Sequence, residues 1–97
     1  MNANIEKYKL KEICKKYDII FMGVFGSYVH GDFTPKSDLD LLVRFSKQKG
    51  LLDLVRIERE ISQYAGVKVD MLTEGSLSPY LKDSIISDLE VVYDAKG

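Results

Sequence analysis

Gly26-Ser27-Tyr28-Val29-His30-Gly31-Asp32-Phe33-Thr34-Pro35-Lys36-Ser37-Asp38-Leu39-Asp40-Leu41-Leu42-Val43 joins two apolar runs of the chain. A Gly-Ser pair follows directly on the first run, and two aspartates one residue apart lead into the second. If the second run is a strand, its side chains alternate between faces, so Asp38 and Asp40 point the same way. Two carboxylates held that close repel unless a positive charge sits between them.

Working outward, Ile19 to Phe25 is short, β-branched and aromatic, and ends at Gly26, as expected of a strand covered on both faces. Gly23 inside it predicts the close approach of another backbone. Gly26, Gly31 and Pro35 leave room for about one turn of helix after Ser27. Asp38 to Phe45 reads as a second strand, central because Leu41-Leu42-Val43 is apolar on both faces. Upstream, residues 4–17 read as a helix with Leu10, Ile13, Cys14 and Tyr17 at i, i+3, i+4 and i+7, and Asp18 at its exit. Downstream, Leu54, Ile57, Ile61, Tyr64 and Ala65 form the stripe of a helix over 51–65, with Gly66 as its stop. Val67 to Leu72 is a third strand, with Lys68, Asp70 and Leu72 on one face. Thr73 to Ser76 is a loop, and Ser78-Pro79 opens a helix carrying Leu81, Ile85 and Leu89. Glu90 to Tyr93 is a last short strand. Interleaved helices and strands predict an α+β fold, a small mixed β-sheet of three to four strands with helices packed on it.

Ninety-seven residues allow one domain, residues 1–97, without room for a second core. A net charge of -1 provides no general basic field for gripping nucleic acid. Lys7, Lys9, Lys11, Lys15 and Lys16 read as the solvated surface of the first helix. Cys14 is the only cysteine, so an intrachain disulfide is excluded and a thiolate zinc site lacks ligands. No apolar run approaches the ~20 residues needed to span a bilayer, and the first residues lack a signal peptide's apolar core. A reducing cytoplasm is the expected compartment.

The acidic residues suggest metal-assisted nucleotide chemistry. Mg²⁺ takes hard oxygen ligands at about 2.0–2.1 Å, commonly one or two carboxylates plus phosphate oxygens. Two ions about 3.5–4 Å apart can clamp the attacking and leaving oxygens of an in-line displacement. Asp38 and Asp40 offer carboxylates on one strand face, and Asp70, the only acid inside the third strand, is the candidate third ligand. Gly26-Ser27 at a strand end supplies a close backbone, free N–H groups and a hydroxyl suited to phosphate. A Walker loop would need Gly-Lys-Ser/Thr, which is absent, and an EF-hand would need ligands where Leu42-Val43 stand.

Gly26-Ser27, Gly31 and Ser37-Asp38-Leu39-Asp40-Leu41 resemble the signature of the DNA-polymerase-β-like nucleotidyltransferases. Size and spacing are similar to the minimal nucleotidyltransferases, the MntA-type antitoxins of HEPN/MNT toxin–antitoxin systems. The resemblance implies the polymerase-β-like fold, with Asp38, Asp40 and Asp70 as catalytic acids and ligands of Mg²⁺, two ions in all. It implies nucleotide binding by Gly26, Ser27 and Ser37, and AMP transfer from ATP to a tyrosine of a partner HEPN ribonuclease encoded nearby. His30 stands where related proteins commonly have arginine, exchanging a permanent cation for a side chain mostly neutral near pH 7. The rival expectations are an antitoxin that acts by contact alone, and nucleotidyl transfer to a small-molecule hydroxyl. Among the tyrosines, Tyr8, Tyr28 and Tyr80 are expected to pack in the core or at its rim.

Overall fold

The computed structural model describes residues 7–26 and 38–96, with side chains from residue 9 onward. In chain order the elements are α1 (Lys7–Lys16), β1 (Ile19–Phe25), β2 (Leu39–Phe45), α2 (Leu51–Ala65), β3 (Val69–Thr73), a 3₁₀ turn (Glu74–Ser76), α3 (Pro79–Asp88) and β4 (Glu90–Asp94). The strands form one sheet in the order β3-β2-β1-β4. β1 is antiparallel to β2 and to β4, whereas β2 and β3 are parallel. The mixed four-stranded α+β fold and the central place of the first two strands are as the sequence implies.

Local chemistry accounts for the boundaries. Asp18 turns the chain from α1 into β1 at φ 62°, a left-handed conformation that aspartate tolerates better than most residues. Its main-chain oxygen accepts from Ser46 N–H at 2.9 Å, and its carboxylate takes Lys49 Nζ at 3.0 Å. The α1–β1 corner is thereby tied to the loop after β2. Gly66 ends α2 at φ 73°, its N–H donating to Ser62 O at 2.9 Å. Ser78 caps α3 by accepting from Leu81 N–H, with Pro79 at the first helical position.

Pairing register divides the side chains between two unlike faces. Ile19, Met22 and Val24 of β1, Leu39, Leu41 and Val43 of β2, Val69 of β3 and Val92 of β4 join Leu10, Ile13 and Cys14 of α1 and Ile57, Ile61 and Ala65 of α2 in one buried cluster. Both helical stripes therefore dock on the sheet, except that Leu54 stands outside the cluster and lines a cleft beside the end of β2. The opposite face carries Phe21, Gly23 and Phe25 of β1 alongside Arg44, Leu42 and Asp40 of β2, followed by Leu72 and Asp70 of β3. Leu42 is buried there, and Leu89 at the end of α3 lies over the paired Gly23.

Some expectations need correction. β3 begins at Val69 rather than Val67, because the Val67 carbonyl accepts from Ser62 Oγ at 2.6 Å and stays with the helix end. The segment after β3 winds into a 3₁₀ turn rather than an irregular loop. At Gly23 the close neighbour is the Leu89 side chain, 2.6 Å from where a Cβ would stand, not another backbone. Tyr80 is 93% exposed and packs in neither core nor rim. The start of the first helix, the turn of helix after Ser27 and the positions of Tyr28, His30 and Gly31 lie outside the described residues, as does the side chain of Tyr8.

Candidate active site

The parallel pairing of β2 with β3 sets Asp40 directly opposite Asp70. Register partners in a sheet project from the same face, so these carboxylates are neighbours across the ladder. Asp38 lies just before β2, two residues from Asp40. Burial pushes the Asp40 carboxyl above its ordinary pKa, and the charges of Asp70 and then Asp38 push it the same way. Asp38 and Asp70 thus both act on Asp40, although Asp70 lies thirty residues beyond it in sequence. Nothing in residue spacing fixes that pairing; it follows from the parallel crossover through α2.

Gly26 completes the rim. It leaves β1 at φ 80°, and a Cβ placed on it would run into Asp40 Oδ2, with Cγ of the same carboxyl only 3.3 Å away. A left-handed backbone and the absence of a side chain are both required at this point. The glycine stands against the carboxylate of the neighbouring strand as well as at the head of the expected phosphate loop. Ser27 and Ser37, the other expected nucleotide ligands, lie outside the described residues.

The donor set suits a hard cation: three carboxylates share a region in which the charged form of Asp40 is disfavoured. A divalent ion there would reverse that penalty. Among the described residues no group of three His, Cys, Asp or Glu side chains stands close enough to hold a metal ion.

Two neighbours escaped sequence reasoning. Phe25 is the register partner of Asp40 in β1, which puts a half-buried ring beside that carboxylate. At the other end of the face, Arg44 gives both Nε and Nη2 to Glu74 and lies over the Phe21 ring, 5.7 Å from its centroid. Lys82 of α3 reaches the other Glu74 oxygen at 3.5 Å, so this cluster fastens α3 to the acidic face. Alternation along β2 offers a signal in retrospect, since Asp40, Leu42 and Arg44 are every second residue. A cleft of about 460 Å³ beside Arg44, Ser46 and Glu74 lies at this end of β2, away from the carboxylates.

A profile of the nucleotidyltransferase domain matches residues 7–92. The chain belongs to that family. It is therefore a transferase of the nucleotidyl class. It is 41% identical over 88 residues to a Methanocaldococcus jannaschii protein provisionally named protein adenylyltransferase MJ0435, a match spanning 91% of this chain and 95% of that one. Protein adenylyltransferase MntA of Thermococcus cleftensis is 34% identical over 83 residues, 86% of this chain and 82% of the relative. A solved structure provisionally described as a minimal nucleotidyltransferase superposes with a TM-score of 0.73 at 28% identity, covering 92% of this chain and 98% of that one. A toxin–antitoxin crystal structure with AMP-PNP reaches a TM-score of 0.81 at 16% identity, over 93% of this chain and 74% of that one. The complex of tri-AMPylated Shewanella oneidensis HEPN toxin with MNT antitoxin gives 0.72 at 14% identity, over 93% and 71%. At those last two identities the likeness speaks for the fold alone.

Proposed function

We propose that this protein is an antitoxin-type adenylyltransferase, moving AMP from Mg-ATP to a tyrosine hydroxyl of a HEPN toxin ribonuclease. Residues 1–97 serve as one minimal transferase domain in the cytoplasm. The observation that carries this reading is the opposition of Asp40 and Asp70 in parallel register, with Asp38 acting on Asp40 from the head of β2 and Gly26 against Asp40. The names of the archaeal relatives and the AMPylated HEPN toxin of the Shewanella complex support the choice of acceptor.

Asp38, Asp40 and Asp70 would hold Mg²⁺, two ions in all. When bound, the metal neutralises triphosphate charge and stabilises the attacking and leaving oxygens. Asp70 is the most exposed of the three, which supports it as the group that takes the acceptor hydroxyl's proton. A tyrosine hydroxyl otherwise titrates near pH 10, so removing that proton at neutral pH is the task of the acid side of this site. The attack falls on the α-phosphorus: an oxygen–phosphorus bond forms to the acceptor as pyrophosphate leaves. Gly26, Ser27 and Ser37 would bind the nucleotide phosphates, a role for which the bare backbone of Gly26 allows close approach.

Incubation with Mg²⁺, labelled ATP and the HEPN protein encoded beside this gene tests the reading. The expected result is a mass increase of one AMP on a HEPN tyrosine, lost in the Asp38→Asn, Asp40→Asn double variant. Labelling that survives the double variant would refute the site assignment. Neutralised toxin without label would make the protein a binding antitoxin instead.

A further inference from the structure

We infer that Glu58 is a positioning residue for the Asp70 carboxylate, acting through the main-chain N–H of Met71; the functional part of this inference rests on Asp70 being the third catalytic acid.

β3 is an end strand, with β2 on one side only. Leu39 N–H donates to Lys68 O at 2.8 Å, so the main-chain groups of Lys68 face β2. Alternation along the strand then turns those of Asp70 and Leu72 toward β2, and those of Val69, Met71 and Thr73 outward. An outward N–H on an end strand has no ladder partner and is open to water or to another chain. At Met71 it donates to Glu58 Oε2 at 3.2 Å, in a part-buried setting.

Glu58 reaches this group from α2, the helix on the apolar face of the sheet. The Met71 side chain packs against the apolar core, whereas Asp70 projects from the opposite, acidic face. The tether therefore grips the strand one peptide beyond Asp70 and from behind it. A carboxylate acceptor makes this a charge-assisted bond, stronger than an ordinary main-chain pair. Glu60, one turn-fraction along the same helix, is used differently: it accepts from Tyr17 Oη at 2.6 Å and from Lys16 Nζ at 3.3 Å, joining helix to helix. Glu58 joins helix to strand, at the one residue that follows the acid.

The need for such a tether follows from charge and topology. Asp70 is opposed by Asp40, and Asp38 adds to the same repulsion at Asp40. The ladder to β2 restrains β3 on its inner edge alone. Without a bond on the outer edge, repulsion has a direction in which to move the strand, and the distance from Asp70 to Asp40 becomes variable. Holding catalytic groups in fixed separation is what gives them their effect.

The test uses the full chain with its HEPN partner and compares Glu58→Ala, Glu58→Gln and Asp70→Asn. Amide hydrogen exchange at Met71, measured without substrate, reads the tether itself; AMP transfer reads its consequence. Glu58→Ala is expected to speed Met71 exchange and to lower kcat about tenfold, the scale on which outer residues around such sites act. KM for ATP should stay within about twofold, because the phosphate side is untouched. Glu58→Gln keeps an acceptor oxygen and should restore both. Unchanged Met71 exchange in Glu58→Ala overturns the inference, as does faster exchange with unchanged kcat while Asp70→Asn is inactive. Full transfer by Asp70→Asn removes the role of Asp70 instead, a separate failure that also ends the inference. If the wild type transfers no AMP, the affinity for Mn²⁺ replaces kcat, and an affinity that Glu58→Ala leaves intact overturns it.

Discussion

The Asp40 carboxylate occupies the space that a side chain at residue 26 would need, and Gly26 meets it at φ 80°. Any L-residue there faces a strained backbone and a direct collision, and the group that must yield belongs to the proposed metal site. Gly26→Ala is expected to cost about 1–2 kcal/mol from the left-handed backbone alone. Transfer should fall much further than this stability loss implies, because Asp40 must turn away from Asp70. Urea unfolding and AMP labelling, measured on the same variant, separate the two effects. A variant that labels at the wild-type rate would show that Asp40 does not act from this position.

Cys14 should be chemically silent in the folded chain. It is fully buried between α1 and β1, with its sulfur 3.9 Å from the Met22 sulfur, and burial pushes its pKa up from 9.0 to about 12. At pH 8 the folded protein carries a neutral thiol, and alkylation has to await unfolding. The sign of the pH effect follows, since the folded thiol holds its proton more tightly than the unfolded one. Stability is unaffected by this group below about pH 9 and falls as pH rises from there toward 12. Rapid iodoacetamide labelling under native conditions at pH 8, at a rate independent of added urea, would contradict this placement.

The sheet was readable from local sequence wherever one element decides its own face. The stripes of α1 and α2, the apolar runs of β1 and β2, the stop at Gly66 and the start at Ser78 each follow from periodicity or backbone chemistry within a few residues. What local spacing leaves open is pairing, and the meeting of Asp70 with Asp40 is expected from their chemistry rather than from any register. That Asp40 meets Asp70, that Phe25 stands beside Asp40, and that Glu58 reaches Met71 all depend on register between elements distant in sequence. Gly23 shows the limit well: its lack of a side chain signalled a close neighbour, but which neighbour depends on where α3 returns to the sheet. The carboxylates stand out in the sequence because their residue type is rare inside strands, a chemical signal that needs no register.

Gly23 also gives a packing test. A Cβ at this position would lie 2.6 Å from both Cγ and Cδ1 of Leu89, so the leucine has to swing away as a whole. Overpacking of this kind costs about 1–3 kcal/mol. Gly23→Ala should therefore lower the melting temperature, and Leu89→Ala should lower it too by leaving a gap over β1. Combined, the new methyl fills part of the gap, so the double variant should lose less than the sum. Strict additivity in a double-mutant cycle would mean that α3 does not seat on Gly23.

The acidic face should carry a stability cost that its function requires. Burial and the charges of Asp70 and Asp38 raise the Asp40 pKa, so the folded chain binds that proton more tightly than the unfolded chain does. For a carboxyl shifted in this direction, folding is favoured at low pH and the penalty grows as pH rises through the unfolded value, near 3.9, and the higher folded one. Asp40→Asn is therefore expected to stabilise the protein at pH 7 by about 0.5 kcal/mol, the scale of solvent-screened charge pairs. The gain should vanish near pH 3, where the wild-type carboxyl is already neutral. Added Mg²⁺ should raise the wild-type melting temperature and leave Asp40→Asn nearly unmoved, since a ligand stabilises only the state that binds it. Thermal unfolding at pH 3 and pH 7, with and without Mg²⁺, checks all three signs. An asparagine variant that is less stable at pH 7 and no different at pH 3 would show that Asp40 is held by favourable contacts rather than forced against its neighbours.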